Sequence, residues 1–223
     1  VSKPLFVGFM GTGRCGSSAV AGAAHASGLW LGDDLIGPAG TNKYGHFETM
    51  DFHRITRGML GASSLMIRSD WQDDYKQAIE DHIQKVRQGS VRAVGGSRGA
   101  KPTLWGLKET AFCAIWNDVA PWFGENRRLV VIHRKFESVV RSRMSCQSMD
   151  ATQAAGFHTW CLYHMYKTLM GSREPVLHVQ YEEMLREPRR VVGSMLDFIY
   201  DGVEFDANYD EAINFIDADA RNF

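Results

Sequence analysis

The chain holds no apolar run long enough to span a bilayer, and its first residues lack the apolar stretch and small-residue cleavage pattern of a signal peptide. Neither membrane insertion nor secretion is therefore expected. The four cysteines (Cys15, Cys113, Cys146, Cys161) form no close pairs. That spacing excludes a compact cysteine metal motif and the framework of a disulfide-stapled domain, so reduced thiols and a cytoplasmic location are expected. Excess charge is also missing: 25 Lys and Arg face 26 Asp and Glu, a net of −1. Binding nucleic acid through bulk positive charge is excluded by that balance, although a local basic pocket is not. There is no internal repeat and no linker long enough to demand a second unit, so residues 1–223 are expected to form one domain.

What is present begins with Phe6-Val7-Gly8-Phe9-Met10-Gly11-Thr12-Gly13-Arg14-Cys15-Gly16-Ser17-Ser18. An apolar run enters a glycine-rich turn, and an alanine-rich, helix-compatible stretch leaves it. Successive backbone N–H groups in such a turn, together with the positive end of the following helix, bind a phosphate. The spacing from Gly11 to Gly16 is similar to the nucleotide-triphosphate loop, but Ser17 stands where that loop carries its lysine. Arg14 is the only cation in the turn. The pattern fits an anion better than ordinary ATP hydrolysis; a tight strand-to-helix connection without a ligand is the alternative.

The remaining pattern alternates strands with helices. Strands are predicted at Lys3–Met10, Leu104–Lys108, Arg128–His133 and Val176–Gln180. Helices are predicted from Ser18 to about Ser27, Met50 to about Leu60, Asp70 to Gln88, Phe136 to Met144, Thr152 to Met170 and Val191 to Ile199. Ala111–Trp122 reads as helical or irregular, Ser63–Ser69 is ambiguous, and Gly95–Pro102 reads as a loop. Arg128–His133 is apolar on both faces, as in an interior parallel strand. The expected architecture is α/β: a P-loop-like three-layer sandwich, with a central parallel sheet covered by helices on both faces and ligands at the carboxyl ends of its strands.

A second charged strand end follows Ile132. Arg134 comes just past the strand, Ser142 eight residues later, and two or more of Ser138, Arg141 and Ser142 share a helical face. A guanidinium fork plus a serine hydroxyl would suit a second phosphate; solvated cations on a surface helix are the alternative. Two anion subsites on one sheet edge imply a nucleotide with phosphates at both ends.

In this arrangement the chain resembles the sulfotransferases that use 3′-phosphoadenosine 5′-phosphosulfate (PAPS). Their phosphosulfate loop is similar to Gly13-Arg14-Cys15-Gly16-Ser17-Ser18, with Cys15 in place of the usual serine. Their arginine and later serine, which grip the 3′ phosphate, match Arg134 and Ser142, with Phe136 where proline often stands. Tyr181-Glu182 through Pro188 is similar to their late strand end. Asn42-Lys43-Tyr44-Gly45-His46-Phe47-Glu48 and Trp105-Gly106-Leu107-Lys108-Glu109-Thr110 resemble segments of bacterial and carbohydrate-related branches. The C-terminal Gly-x-x-Gly-x-Trp-Lys segment of many steroid and phenol enzymes is absent.

The resemblance implies PAPS as donor, adenosine 3′,5′-bisphosphate (PAP) as product, and a small-molecule or carbohydrate acceptor that offers a hydroxyl, with an amine as the lesser option. It implies that Thr12, Gly13, Arg14, Cys15, Gly16, Ser17 and Ser18 hold the 5′ end, that Arg134 and Ser142 hold the 3′ phosphate, and that no metal is required. Arg14 would stabilise the leaving oxygen. Lys108 would contact the transferred group or be structural. Glu48 leads as general base, provided its pKa is raised, with His46 and then Glu109 behind it. His25, His53 and His133 read as packing or surface histidines. A P-loop small-molecule kinase or NTPase, and a non-catalytic nucleotide-binding protein, remain the competing classes.

Overall fold

The computed structural model describes residues 5–39, 42–59, 77–84 and 104–216. Strand β1 (Leu5–Gly11) leads through the turn into helix α1 (Ser17–Ala26). Helix α2 (Met50–Met59) precedes β2 (Leu104–Lys108), which is followed by α3 (Phe112–Val119) and a 3₁₀ turn, Ala120–Phe123. Next come β3 (Arg127–His133), α4 (Phe136–Gln147), α5 (Ala151–Gly171), β4 (Val176–Gln180), α6 (Tyr181–Arg186), α7 (Pro188–Tyr200) and α8 (Tyr209–Phe215). Residues 77–84, inside the predicted Asp70–Gln88 helix, are helical, with Ile79 and Ile83 buried. The Ser63–Ser69 and Gly95–Pro102 readings lie outside the described residues.

The sheet is parallel throughout, in the order β2-β1-β3-β4. Strand side chains alternate between faces, and here both faces are apolar. Leu5, Val7 and Phe9 of β1 join Val130 and Ile132 of β3 beneath α1 and α7. Phe6 and Met10 join Leu129 and Val131 beneath α3, the 3₁₀ turn and α5. The second face is the more aromatic: Phe6 stacks on Phe123 with ring centroids 4.1 Å apart and meets Trp105 edge-on at 4.6 Å. Fully buried aromatic side chains of this kind contribute about 1.5–3 kcal/mol each, so the core is anchored on the very strand that feeds the turn.

That order has a functional consequence. The chain leaves β1 for β2 on one side, then crosses to β3 on the other, so its direction reverses beside β1. Open α/β sheets place ligands at this kind of switch point. The register pairs Met10 with Val131 and Gly11 with Ile132. The glycine turn and the segment carrying Arg134 therefore emerge side by side.

Candidate active site

The turn between β1 and α1 is held in an uncommon backbone conformation. Gly13, Arg14 and Gly16 have φ of 69°, 58° and 88°. At Gly16 a side chain is excluded twice over, by that φ and by the Tyr181 ring, whose Cδ2 would lie 2.2 Å from an added Cβ. Arg14 is not a glycine, and a left-handed conformation there costs on the order of 1–3 kcal/mol. Its side chain and its carbonyl are both held, the side chain also by a bond from Nη2 to Cys146 Sγ at 3.2 Å. Arg14 Nε donates to Ser142 Oγ at 3.0 Å, and Arg134 Nη1 donates to the Arg14 carbonyl at 3.0 Å. The Arg134 guanidinium itself lies over the Tyr181 ring, 5.0 Å from its centroid. The start of α1 has no side-chain cap and no acidic residue in its first turn, so nothing of its own competes for an anion there.

Next to the turn, the segment leading to α2 carries Asn42, His46 and Glu48. Gly45 (φ 101°) and Phe47 (φ 55°) turn this segment sharply, and Ile36 N donates to the Glu48 carbonyl at 2.8 Å. Ser18 Oγ donates to the His46 carbonyl at 3.3 Å and accepts from Asn42 Nδ2 at 3.3 Å, joining the segment to α1. The Asn42 Oδ1 is buried without a hydrogen-bond partner.

Glu48 belongs to a buried chain of alternating charges. Lys108 Nζ, at the carboxyl end of β2, donates to Glu48 Oε1. His53 Nδ1 lies 3.1 Å from Glu48 Oε2 and 3.4 Å from Glu109 Oε2. Lys108, Glu48 and Glu109 are each buried. Burial alone would raise the Glu48 carboxyl, but the Lys108 ammonium and the bond from His53 outweigh it and hold the group at about 2. His53 moves the opposite way: hydrogen bonds to Glu109 and then Glu48 overcome its burial and raise it to about 9. Arg57 Nε lies 3.2 Å from His53 Nε2, a donor position that needs a neutral imidazole. Two buried carboxylates against one exposed guanidinium favour the imidazolium. His46 is lowered, first by burial and next by Lys108, and so stays neutral at physiological pH.

The donor atoms of Glu48, His53 and Glu109 lie within 4.8 Å of one another, close enough to hold a cation together. The Lys108 ammonium and the His53 proton already balance both carboxylates, so a metal would have to displace charge that the protein itself supplies.

Turn and charge network open onto one cavity of about 1270 Å³. Its walls include the turn, Asn42, His46, Glu48, His53, Arg57, Lys108 and Glu109, together with Arg143, Phe157 and Trp160. No family model matches the chain, and no curated protein matches it in sequence. Solved structures do match in shape. The sulfotransferase domain from the Synechococcus PCC 7002 olefin synthase aligns at TM-score 0.56 and 17% identity, covering 99% of this chain and 80% of that one. The sulfotransferase domain from the curacin biosynthetic pathway aligns at 0.52 and 15%, covering 98% and 80%. Sulfotransferase STF1 from Mycobacterium tuberculosis H37Rv aligns at 0.56 and 17%, covering 97% and 71%. The fold is that of sulfotransferase domains.

Within this sulfotransferase-like fold, Thr12, Gly13, Arg14, Gly16, Ser17, Ser18, His46, Glu48 and Lys108 all line the cavity. Cys15 is packed into the core instead, leaving its backbone as the part next to the turn. Arg134 and Ser142 sit behind the turn, each bonded to Arg14. His53, expected as a packing or surface histidine, is in the site, because α2 begins at Met50, two residues past Glu48, and its first turn brings His53 to the two carboxylates. Arg143 escaped notice beside Ser142: Arg141 is exposed, whereas Arg143 is buried against the turn. Its sequence signal was its position one residue past a predicted phosphate-binding serine. Among the described residues no helix is long and apolar enough to cross a membrane.

Proposed function

We propose that this chain is a sulfotransferase that moves the sulfuryl group of PAPS to an acceptor hydroxyl and releases PAP. One observation carries the reading: the arginine-bearing turn, which Arg134 and Ser142 brace from outside the cavity, lines a cavity that also contains a buried carboxylate–ammonium pair. The residues fit such a donor. The turn has an uncapped helix start for a 5′ anion, and Arg134 with Ser142 stands beside it for the 3′ phosphate. PAPS supplies an activated sulfuryl group; the protein's part is to hold it in line and to manage one proton.

In this reading Arg14 donates to the oxygen on which charge builds as the sulfur–oxygen bond breaks. Glu48 takes the acceptor's proton. At about 2 its carboxylate is too weak a base for that, and the causes are Lys108 first and then His53. Once Lys108 turns to the transferred sulfuryl oxygens, its share of the depression is lost, and burial raises the basicity of Glu48 against His53 alone. Donor binding and activation of the base are thereby one event. The neutral His46 is the alternative acceptor of that proton.

The test is release of PAP from PAPS by the full chain in the presence of pooled phenols, alcohols and sugars, with calorimetric titration of PAP alongside. PAP binding and acceptor-dependent PAP release are expected. Absence of PAP binding, or turnover of magnesium ATP with no response to PAPS, overturns the reading in favour of a kinase or NTPase. Tight PAP binding without turnover of any acceptor would leave a nucleotide-binding protein.

A further inference from the structure

Arg143 carries a charge that its surroundings do not answer. The residue is 2% exposed. Its Nη2 donates to the Thr12 carbonyl and, at 3.3 Å, to that of Gly13; its Nη1 donates to Gln147 Oε1 at 2.9 Å. The Phe157 ring lies under the guanidinium, 4.4 Å from Cζ. Each of these partners is neutral. Among the described residues no ion pair includes Arg143, and its Nε is buried without a hydrogen-bond partner. Burying a cation without a counter-ion is costly, and proteins ordinarily avoid it. The same side chain forms part of the cavity wall under the glycine turn.

A buried arginine that pairs with no carboxylate among the described residues, facing a cavity rimmed by an uncapped helix start, fits a ligand that brings negative charge. The two carbonyls it grips belong to the turn. Holding them back on the Arg143 side leaves the turn's N–H groups for the anion. A guanidinium is suited to both tasks, because it has five N–H donors and three are engaged by protein.

We propose that Arg143 is an anion-binding residue of this cavity, receiving the 5′ phosphosulfate end of the donor while it fixes the turn that cradles the same group. It provides the cation missing where Ser17 replaces the lysine of nucleotide-triphosphate loops. The identity of the anion rests on the sulfotransferase reading; the site for a tetrahedral oxyanion does not.

The experiment titrates wild type, Arg143→Gln and Arg143→Lys with PAP and with adenosine 3′-monophosphate, which lacks the 5′ group. Arg143→Gln should lose about tenfold or more in PAP affinity, the scale of one charge-assisted bond, and bind the monophosphate as wild type does. Arg143→Lys, which keeps the charge without the fork, should fall between the two for PAP. Unchanged PAP affinity in a folded Arg143→Gln overturns the proposal. So does equal loss of both nucleotides in either variant, since that is what a purely structural arginine would give. If Arg143→Gln does not fold, Arg143→Lys decides on the same criterion. If wild type binds no PAP, the sulfotransferase reading fails separately, and inorganic sulfate then judges Arg143. Sulfate that raises the melting temperature of wild type more than that of Arg143→Gln, or of Arg143→Lys where the glutamine variant does not fold, supports the anion site; equal rises overturn it.

Discussion

Replacing Lys108 with methionine tests the charge network that the site is built on. The substitution keeps length and apolar stem while removing the ammonium that bonds Glu48. Holding a carboxyl at about 2 rather than 4.5 corresponds to about 3 kcal/mol of favourable interaction, shared between Lys108 and His53. Breaking a buried pair by deleting one partner independently gives about 3–5 kcal/mol. Lys108→Met should therefore destabilise the protein by about 3 kcal/mol at pH 7, or about 6–12 °C in melting temperature for a chain of this size. The sign of the pH dependence is fixed. A depressed carboxyl stabilises above its unfolded value and loses that contribution as pH falls through its folded one. In wild type that loss runs from 4.5 down to about 2. In the variant, burial makes Glu48 take up its proton earlier. The gap between the two proteins should thus be widest near neutrality and narrow in acid. Adding Glu48→Gln should recover most of the loss, because the orphaned charge is then gone. Urea unfolding of the four proteins of this cycle, at pH 7 and pH 4, measures all of it. A cost under about 1 kcal/mol at pH 7, or a gap that does not narrow in acid, would refute a buried, energetically significant pair.

Glu48→Gln alone should abolish PAP release while leaving calorimetric PAP affinity near that of wild type; an active variant would move the base to His46. Arg14→Ala should lower kcat/KM by about 2–4 kcal/mol, the usual cost of one lost oxyanion donor, and unchanged turnover would remove Arg14 from the leaving side. Arg134→Ala should act on binding, weakening PAP by about tenfold or more, and wild-type affinity would deny it the 3′ phosphate. Gly16→Ala should destabilise the fold by about 2 kcal/mol or more, because its Cβ would meet Tyr181 Cδ2 at 2.2 Å; a melting temperature equal to wild type would show that the turn can relax.

The fold was legible where a local pattern decides it. Leu129–Ile132 is apolar without alternation because both faces of β3 are covered, and the central position of that strand follows. Val176–Gln180 has the predicted bounds although it is an edge strand of the described sheet with only Val179 buried. Tyr181 was less transparent. It resembled the end of a strand but begins α6, and its ring is buried under Gly16 and Arg134, a role that no spacing announces. The glycine-turn side of the cavity was legible because the turn is continuous in sequence. The charged side was legible only in pieces. Glu48 reads as a loop carboxylate, His53 as a helix histidine, and Lys108-Glu109 as a charged strand end, each with an ordinary solvated alternative. They meet because β2 pairs with β1 so that Lys108 falls opposite Phe9, while the Gly45 and Phe47 turns bring Glu48 back to that edge. Once they meet, the meaning of each residue changes. The carboxylate expected to sit near neutrality is instead held at about 2, and the histidine set aside as packing carries a proton between two carboxylates. Residue type proposed the base, and the spatial arrangement sets an ammonium on one of its oxygens and an imidazole on the other.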